Sequence, residues 1–116
     1  MKTLVPLWKK KKSEAEIQCE LAVELQSRGF CPRLQVPGFL EDGTKCLFDI
    51  VIFTRLSKVP ICIIECKRGT AILKLMGPSA REQFERYKLF GLPVFMCGKN
   101  GIASTIKAVE EIALSR

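Results

Sequence analysis

The hydrophobic patterning predicts an α/β domain with elements in the order α-β-β-β-α-β-α. Two apolar runs of β-formers, Lys45 to Phe53 and Pro60 to Lys67, read as central strands covered on both faces. Three segments with helical apolar spacing are distributed before, between and after the strands. A length of 116 residues suits one domain with a single core.

The first helix is expected from Ser13 to Arg28. Ser13 is a suitable N-cap with Glu16 three residues on, acids crowd the first turn, and Ile17, Leu21 and Leu25 form a stripe that stops before Gly29. Phe30 to Val36 reads as a strand whose Pro32 points to a sheet edge or a bulge. Pro37 to Thr44, rich in Pro, Gly and Asp, reads as a loop or hairpin turn. The link Thr54 to Val59 is short enough to join the two central strands as an antiparallel hairpin.

Ser79 to Phe90 predicts a second helix, with Ser79 as N-cap, Glu82 three residues later, and Phe84, Tyr87 and either Leu89 or Phe90 as packing residues. Leu92 to Cys97 reads as a short buried strand, Gly98 to Gly101 as a turn, and Ile102 to Leu114 as an amphipathic helix carrying Ile106, Val109 and Ile112.

Composition narrows the function. The chain is 47% hydrophobic and 27% charged, the balance of a globular protein rather than a disordered one. No apolar run reaches the roughly 18 residues of a membrane span, and the opening apolar stretch is too short for a signal peptide, so an intracellular, cytoplasmic protein without membrane association is expected. The net charge of +7 is concentrated in Lys2, Lys9, Lys10, Lys11 and Lys12, leaving +2 on residues 13–116. Residues 1–12 thus read as a basic tail on a nearly balanced domain. Such a tail suits contact with nucleic acid or an anionic surface, or simply solubilises the chain.

There is no histidine and no Cys-x-x-Cys pair among the six cysteines, so the usual zinc ligand sets and the Ser-His-Asp and Cys-His nucleophile arrangements are absent. Cys62 and Cys66 would lie about 13 Å apart along a strand, too far to bridge. Most of the cysteines read as small buried hydrophobes in a reducing compartment.

The informative anomaly is the charge inside the two best strands. Asp49 interrupts one, and Glu65 and Lys67 close the other. An ionised carboxylate buried without a partner costs several kcal/mol, so these positions need compensation. Glu65 and Lys67 point to one face about 6.6 Å apart. A hairpin register that brings Asp49 opposite or diagonal to Glu65 would gather two carboxylates and an ammonium, a hard-oxygen set suited to Mg²⁺. The same three residues could instead form an internal salt-bridge cluster or emerge at a frayed strand end.

Asp49, then Glu65-Cys66-Lys67 after a hydrophobic strand, with an acidic helix before and a helix carrying Gln83-Phe84-Glu85-Arg86-Tyr87 after, resembles the PD-(D/E)xK nuclease superfamily. The Gln-x-x-x-Tyr spacing is similar to that of RecB-type nucleases. Pro60 to Lys67 and Gly98-Lys99-Asn100-Gly101 resemble the nuclease region of type I restriction subunits, and Glu14-Ala15-Glu16-Ile17-Gln18 resembles VRR-NUC domains and archaeal junction resolvases. Phe48 stands where the family name has proline.

The resemblance implies a restriction-endonuclease-like αβββαβ core over residues 13–116, a central mixed sheet flanked by helices, with an extra C-terminal helix. It implies Mg²⁺, with Mn²⁺ as a substitute, held by Asp49, Glu65, the Cys66 carbonyl and a first-helix glutamate. Glu14 matches that glutamate best, followed by Glu16 and Glu20. Lys67 would be the catalytic lysine, with Gln83 and Tyr87 one turn apart positioning it or a phosphate. Lys9, Lys10, Lys11, Lys12, Arg68, Lys74 and Arg81, with Lys88 nearby, would suit phosphate contacts. The implied activity is metal-dependent phosphodiester hydrolysis, in DNA with RNA left open, by a structure-selective or non-specific homodimeric endonuclease of repair, recombination or restriction. A non-catalytic binding module or accessory subunit of the same fold is the alternative.

Overall fold

The computed structural model describes residues 13–55, 59–67 and 78–115, with residues 78–81 described as helix backbone. The elements are α1 (Glu14–Ser27), β1 (Cys31–Phe39), β2 (Lys45–Phe53), β3 (Pro60–Cys66), α2 (Pro78–Lys88), β4 (Val94–Cys97) and α3 (Ile102–Leu114), in the predicted order.

Local chemistry accounts for most of the boundaries. The Ser13 hydroxyl accepts from Glu16 N at 3.2 Å and donates to Glu16 Oε1 at 3.3 Å, so cap and third residue satisfy each other at the start of α1. Gly29, at φ 91°, provides the left-handed turn that ends it. The span of β2 matches expectation at both ends, as does that of α3.

Two expectations are corrected. β1 runs on through Pro37 and Gly38 to Phe39, where the composition read as a loop. Those residues remain paired because the turn is confined to 40–44, where Leu40 N donates to Thr44 O, Gly43 takes φ 88°, and the Asp42 carboxylate accepts from Thr44 N at 2.8 Å. Helix α2 begins at Pro78, ahead of the expected Ser79 cap; proline has no N–H to leave unsatisfied in a first turn.

The sheet order is β1-β2-β3-β4, so Pro32 and Pro37 lie on an edge strand. β1 and β2 are antiparallel, β2 and β3 are antiparallel, and β3 and β4 are parallel, with α2 in the crossover. The result is a mixed sheet with a buried cluster on each face. Ile17, Leu21 and Leu25 of α1 and Ile106 and Val109 of α3 pack on Ile50, Ile52, Cys62, Ile64 and Cys66. The other face joins Cys46, Phe48, Val51, Ile63 and Val94 to Tyr87, with Phe84 and Phe90 packed against them. Phe90 is thus the packing residue, while Leu89 is 72% exposed.

These clusters reveal an irregularity. Cys46 and Phe48 belong to the α2 face, yet Ile50 and Ile52 belong to the α1 and α3 face. A regular strand keeps residues two apart on one face, so the alternation of β2 changes phase at Asp49. All six cysteines are free thiols, four of them buried. Among the described residues no helix is long and apolar enough to cross a membrane.

Candidate active site

The register of β2 and β3 pairs Val51 with Ile63 and Ile50 with Ile64, then stops. The next opposed positions are Asp49 and Glu65, and there side chains span the two strands. Asp49 N donates to Glu65 Oε1 at 2.9 Å, and Cys66 N donates to Asp49 Oδ2 at 2.8 Å. Each carboxylate therefore takes a main-chain N–H from the opposing strand, which holds both side chains in fixed directions. The phase change at Asp49 belongs to the same departure from a regular ladder.

The two acids differ in environment. Glu65 is 2% exposed, whereas Asp49 is half-buried. Burial raises the Glu65 carboxyl to about 8, with the Asp49 carboxylate pushing the same way; the Asp49 N–H and the Lys67 charge oppose them. Burial, followed by Cys97 and the charges of Asp49, Glu65 and Glu14, also raises the Cys66 thiol.

Lys67 follows the end of β3, its backbone N anchored to Cys97 O at 2.9 Å. Its ammonium donates to Gln83 Oε1 at 3.0 Å, Gln83 Nε2 donates to the Tyr87 hydroxyl at 3.0 Å, and that hydroxyl donates to Leu47 O at 2.9 Å. Two residues one turn apart on α2 thus tie the lysine back to β2. Tyr87 is 3% exposed; burial first, then the nearby Glu65 charge, pushes its phenol up to about 12, so it remains a proton donor through neutral pH. Phe48 fixes its ring edge-on at a centroid distance of 4.7 Å and meets Phe90 in the same manner at 4.9 Å.

The structure therefore gathers Asp49, Glu65, Cys66, Lys67, Gln83 and Tyr87. Of the first-helix glutamates, Glu14 is exposed in the first turn with its charge felt at Cys66, Glu16 is engaged by the cap, and Glu20 borders the groove between α1 and α3. Lys88 is turned elsewhere, 3.5 Å from Glu85 and over the Phe84 ring. Lys9, Lys10, Lys11, Lys12, Arg68 and Lys74 lie outside the described residues; Arg81 is placed on α2 as backbone alone.

No family model, curated protein or solved structure matches this chain.

Among the described residues no group of three or more His, Cys, Asp or Glu side chains is gathered to hold a metal ion. The donors that do converge are the Asp49 and Glu65 carboxyl groups, with the main-chain N–H of Cys66 bonded to Asp49. That hard-oxygen set fits Mg²⁺, which binds through one or two carboxylates and retains waters. Burial above all, and then the Asp49 charge, disfavour the ionised form of Glu65, and a bound cation would offset both.

Gln35 is absent from the sequence-based expectations, and Gln18 enters them only within a motif and without a role. Gln35 Nε2 donates to Gln18 Oε1 at 3.1 Å, joining α1 to β1. Gln18 is a legible signal in retrospect: it is a buried polar residue beside the Ile17, Leu21 and Leu25 stripe.

Proposed function

We propose that this chain is a Mg²⁺-dependent nuclease of the PD-(D/E)xK kind, with a restriction-endonuclease-like core. The observation that carries the reading is the crossed pair of Asp49 and Glu65 next to a lysine held by Gln83 and Tyr87. A structural ion cluster would direct the Lys67 ammonium onto a carboxylate; here it is held by a neutral amide oxygen, with no ion pair to it among the described residues.

In this reading Asp49, Glu65 and the Cys66 carbonyl would hold the metal, with Glu14 close enough to contribute charge. A bound ion would supply Lewis-acid polarisation of the phosphate and a water of lowered pKa. Lys67, oriented by Gln83, stabilises charge growing on the phosphate oxygens, and Tyr87 limits the motion of Gln83. The cross-strand N–H bonds fix one oxygen of each acid, Glu65 Oε1 and Asp49 Oδ2.

The substrate is DNA, engaged through the basic residues 9–12 and Arg68, Lys74 and Arg81, and a homodimer would place two sites on two strands. The cytoplasm, where thiols stay reduced, suits six free cysteines. A binding module that keeps the fold without cutting is the second reading; the Lys67–Gln83–Tyr87 chain favours catalysis over it, since binding alone needs no fixed lysine. The test is incubation with supercoiled, linear, single-stranded and four-way-junction DNA in Mg²⁺, Mn²⁺ or EDTA. Cutting in the metals and none in EDTA supports the nuclease; retained binding with no cutting supports the module.

A further inference from the structure

Gln35 is the single non-glycine residue with positive φ among the described residues, at 53°. Side chains other than Gly, Asn and Asp seldom occupy that region, and such an outlier persists where its surroundings enforce it. Its position is informative. The β1–β2 register pairs Leu34 with Ile50 and Val36 with Phe48, and the bracketed pair, Gln35 with Asp49, is missing from it. The strained residue thus lies across from the acid whose N–H and carboxylate both turn toward β3.

A bond to α1 accompanies the angle. The Gln35 amide reaches α1 and donates to Gln18 Oε1, and Gln18 is 9% exposed on the helix face that packs against the sheet. A polar side chain on that face needs a partner, and Gln35 provides it.

We infer that Gln18 and Gln35 form a clamp that holds β1 bent away from Asp49, leaving the Asp49 N–H and carboxylate to bond with Glu65 and Cys66. Both glutamines are positioning residues: they act through Asp49 and touch no substrate. The consequence for cleavage rests on the nuclease reading; the structural role does not.

The test pairs amide hydrogen exchange with kinetics. Gln18→Leu keeps the buried volume, and Gln35→Gly accepts φ near 53° without strain, so each removes the clamp alone. Each variant is expected to speed exchange at the Asp49 and Cys66 amides at least tenfold while Val51 and Ile64 keep wild-type protection. The double variant should be no worse than either single one, because both remove one interaction. On DNA with Mg²⁺, kcat should fall at least tenfold with KM within twofold. Unchanged exchange at Asp49 and Cys66, additive effects, or a loss of protection shared equally by Val51 and Ile64 would overturn the clamp. If wild type fails to cut while the local exchange effect appears, the nuclease reading falls and the clamp stands. Metal-dependent cutting with unaltered exchange in the variants has the reverse meaning.

Discussion

Asp49 and Glu65 face each other across β2 and β3, and each accepts a main-chain N–H from the opposing strand, at 2.8 and 2.9 Å. The arrangement brings two acids together in a sheet interior where one of them is 2% exposed. It costs stability, and in the proposed reading it is where a cation would be held.

That cost has a pH signature. The Glu65 carboxyl rises from 4.5 to about 8 on folding, so over that window the folded protein retains a proton that the unfolded chain has lost. Its contribution to stability is full below pH 4.5, drains as pH rises, and is gone above about 8. Glu65→Gln should remove this slope. Urea unfolding in EDTA should find the variant more stable than wild type at pH 8, by on the order of 2 kcal/mol, with the difference shrinking toward pH 5.

Mg²⁺ should reverse the same cost. A cation that binds the folded pair and not the unfolded chain raises Tm by mass action and displaces the Glu65 proton. Scanning calorimetry at pH 7 should show a rise with millimolar Mg²⁺ in wild type and none in Asp49→Asn. A pH-stat should record proton release on metal addition to wild type alone.

The lysine tether separates stability from activity. Tyr87→Phe deletes a buried bond to Leu47 O and one from Gln83, and should cost about 1 kcal/mol in urea unfolding. Gln83→Leu should alter stability less, since Gln83 is half-buried, yet slow cleavage roughly tenfold by releasing Lys67.

The edge strand supports the site through one glycine. A Cβ on Gly38 would meet the Phe48 ring at 2.5 Å, and that ring braces Tyr87. Gly38→Ala should lower stability by about 1–3 kcal/mol, read from the urea midpoint.

This glycine also shows where the sequence is ambiguous. Pro37 and Gly38 carry a strong local turn signal, overridden because Gly38 is needed for close approach of Phe48 and Phe90. The spans of β2 and α3 were legible because the apolar run of β2 and the helical apolar spacing of α3 coincide with buried segments. Asp49, Glu65 and Lys67 stood out as charges in apolar strands, and Gln83 and Tyr87 by their spacing. That Asp49 lies opposite Glu65 follows from hairpin register, which a one-residue slip would have changed. The partnership of Gln18 with Gln35 depends on a left-handed backbone angle in a residue that rarely adopts one, and no pattern of residue types announces it.

The central claim is that the Asp49–Glu65 pair and Lys67 constitute a metal-dependent phosphodiesterase centre. The most direct measurement is the single-turnover cleavage rate of labelled DNA in Mg²⁺ for wild type, Asp49→Asn and Lys67→Ala, with circular dichroism and DNA affinity in EDTA measured for each. The account predicts cutting by wild type, a fall of at least a hundredfold in both variants, and folding and affinity close to wild type. Cleavage by either variant at the wild-type rate, or no cleavage by a folded, DNA-bound wild type, would contradict it.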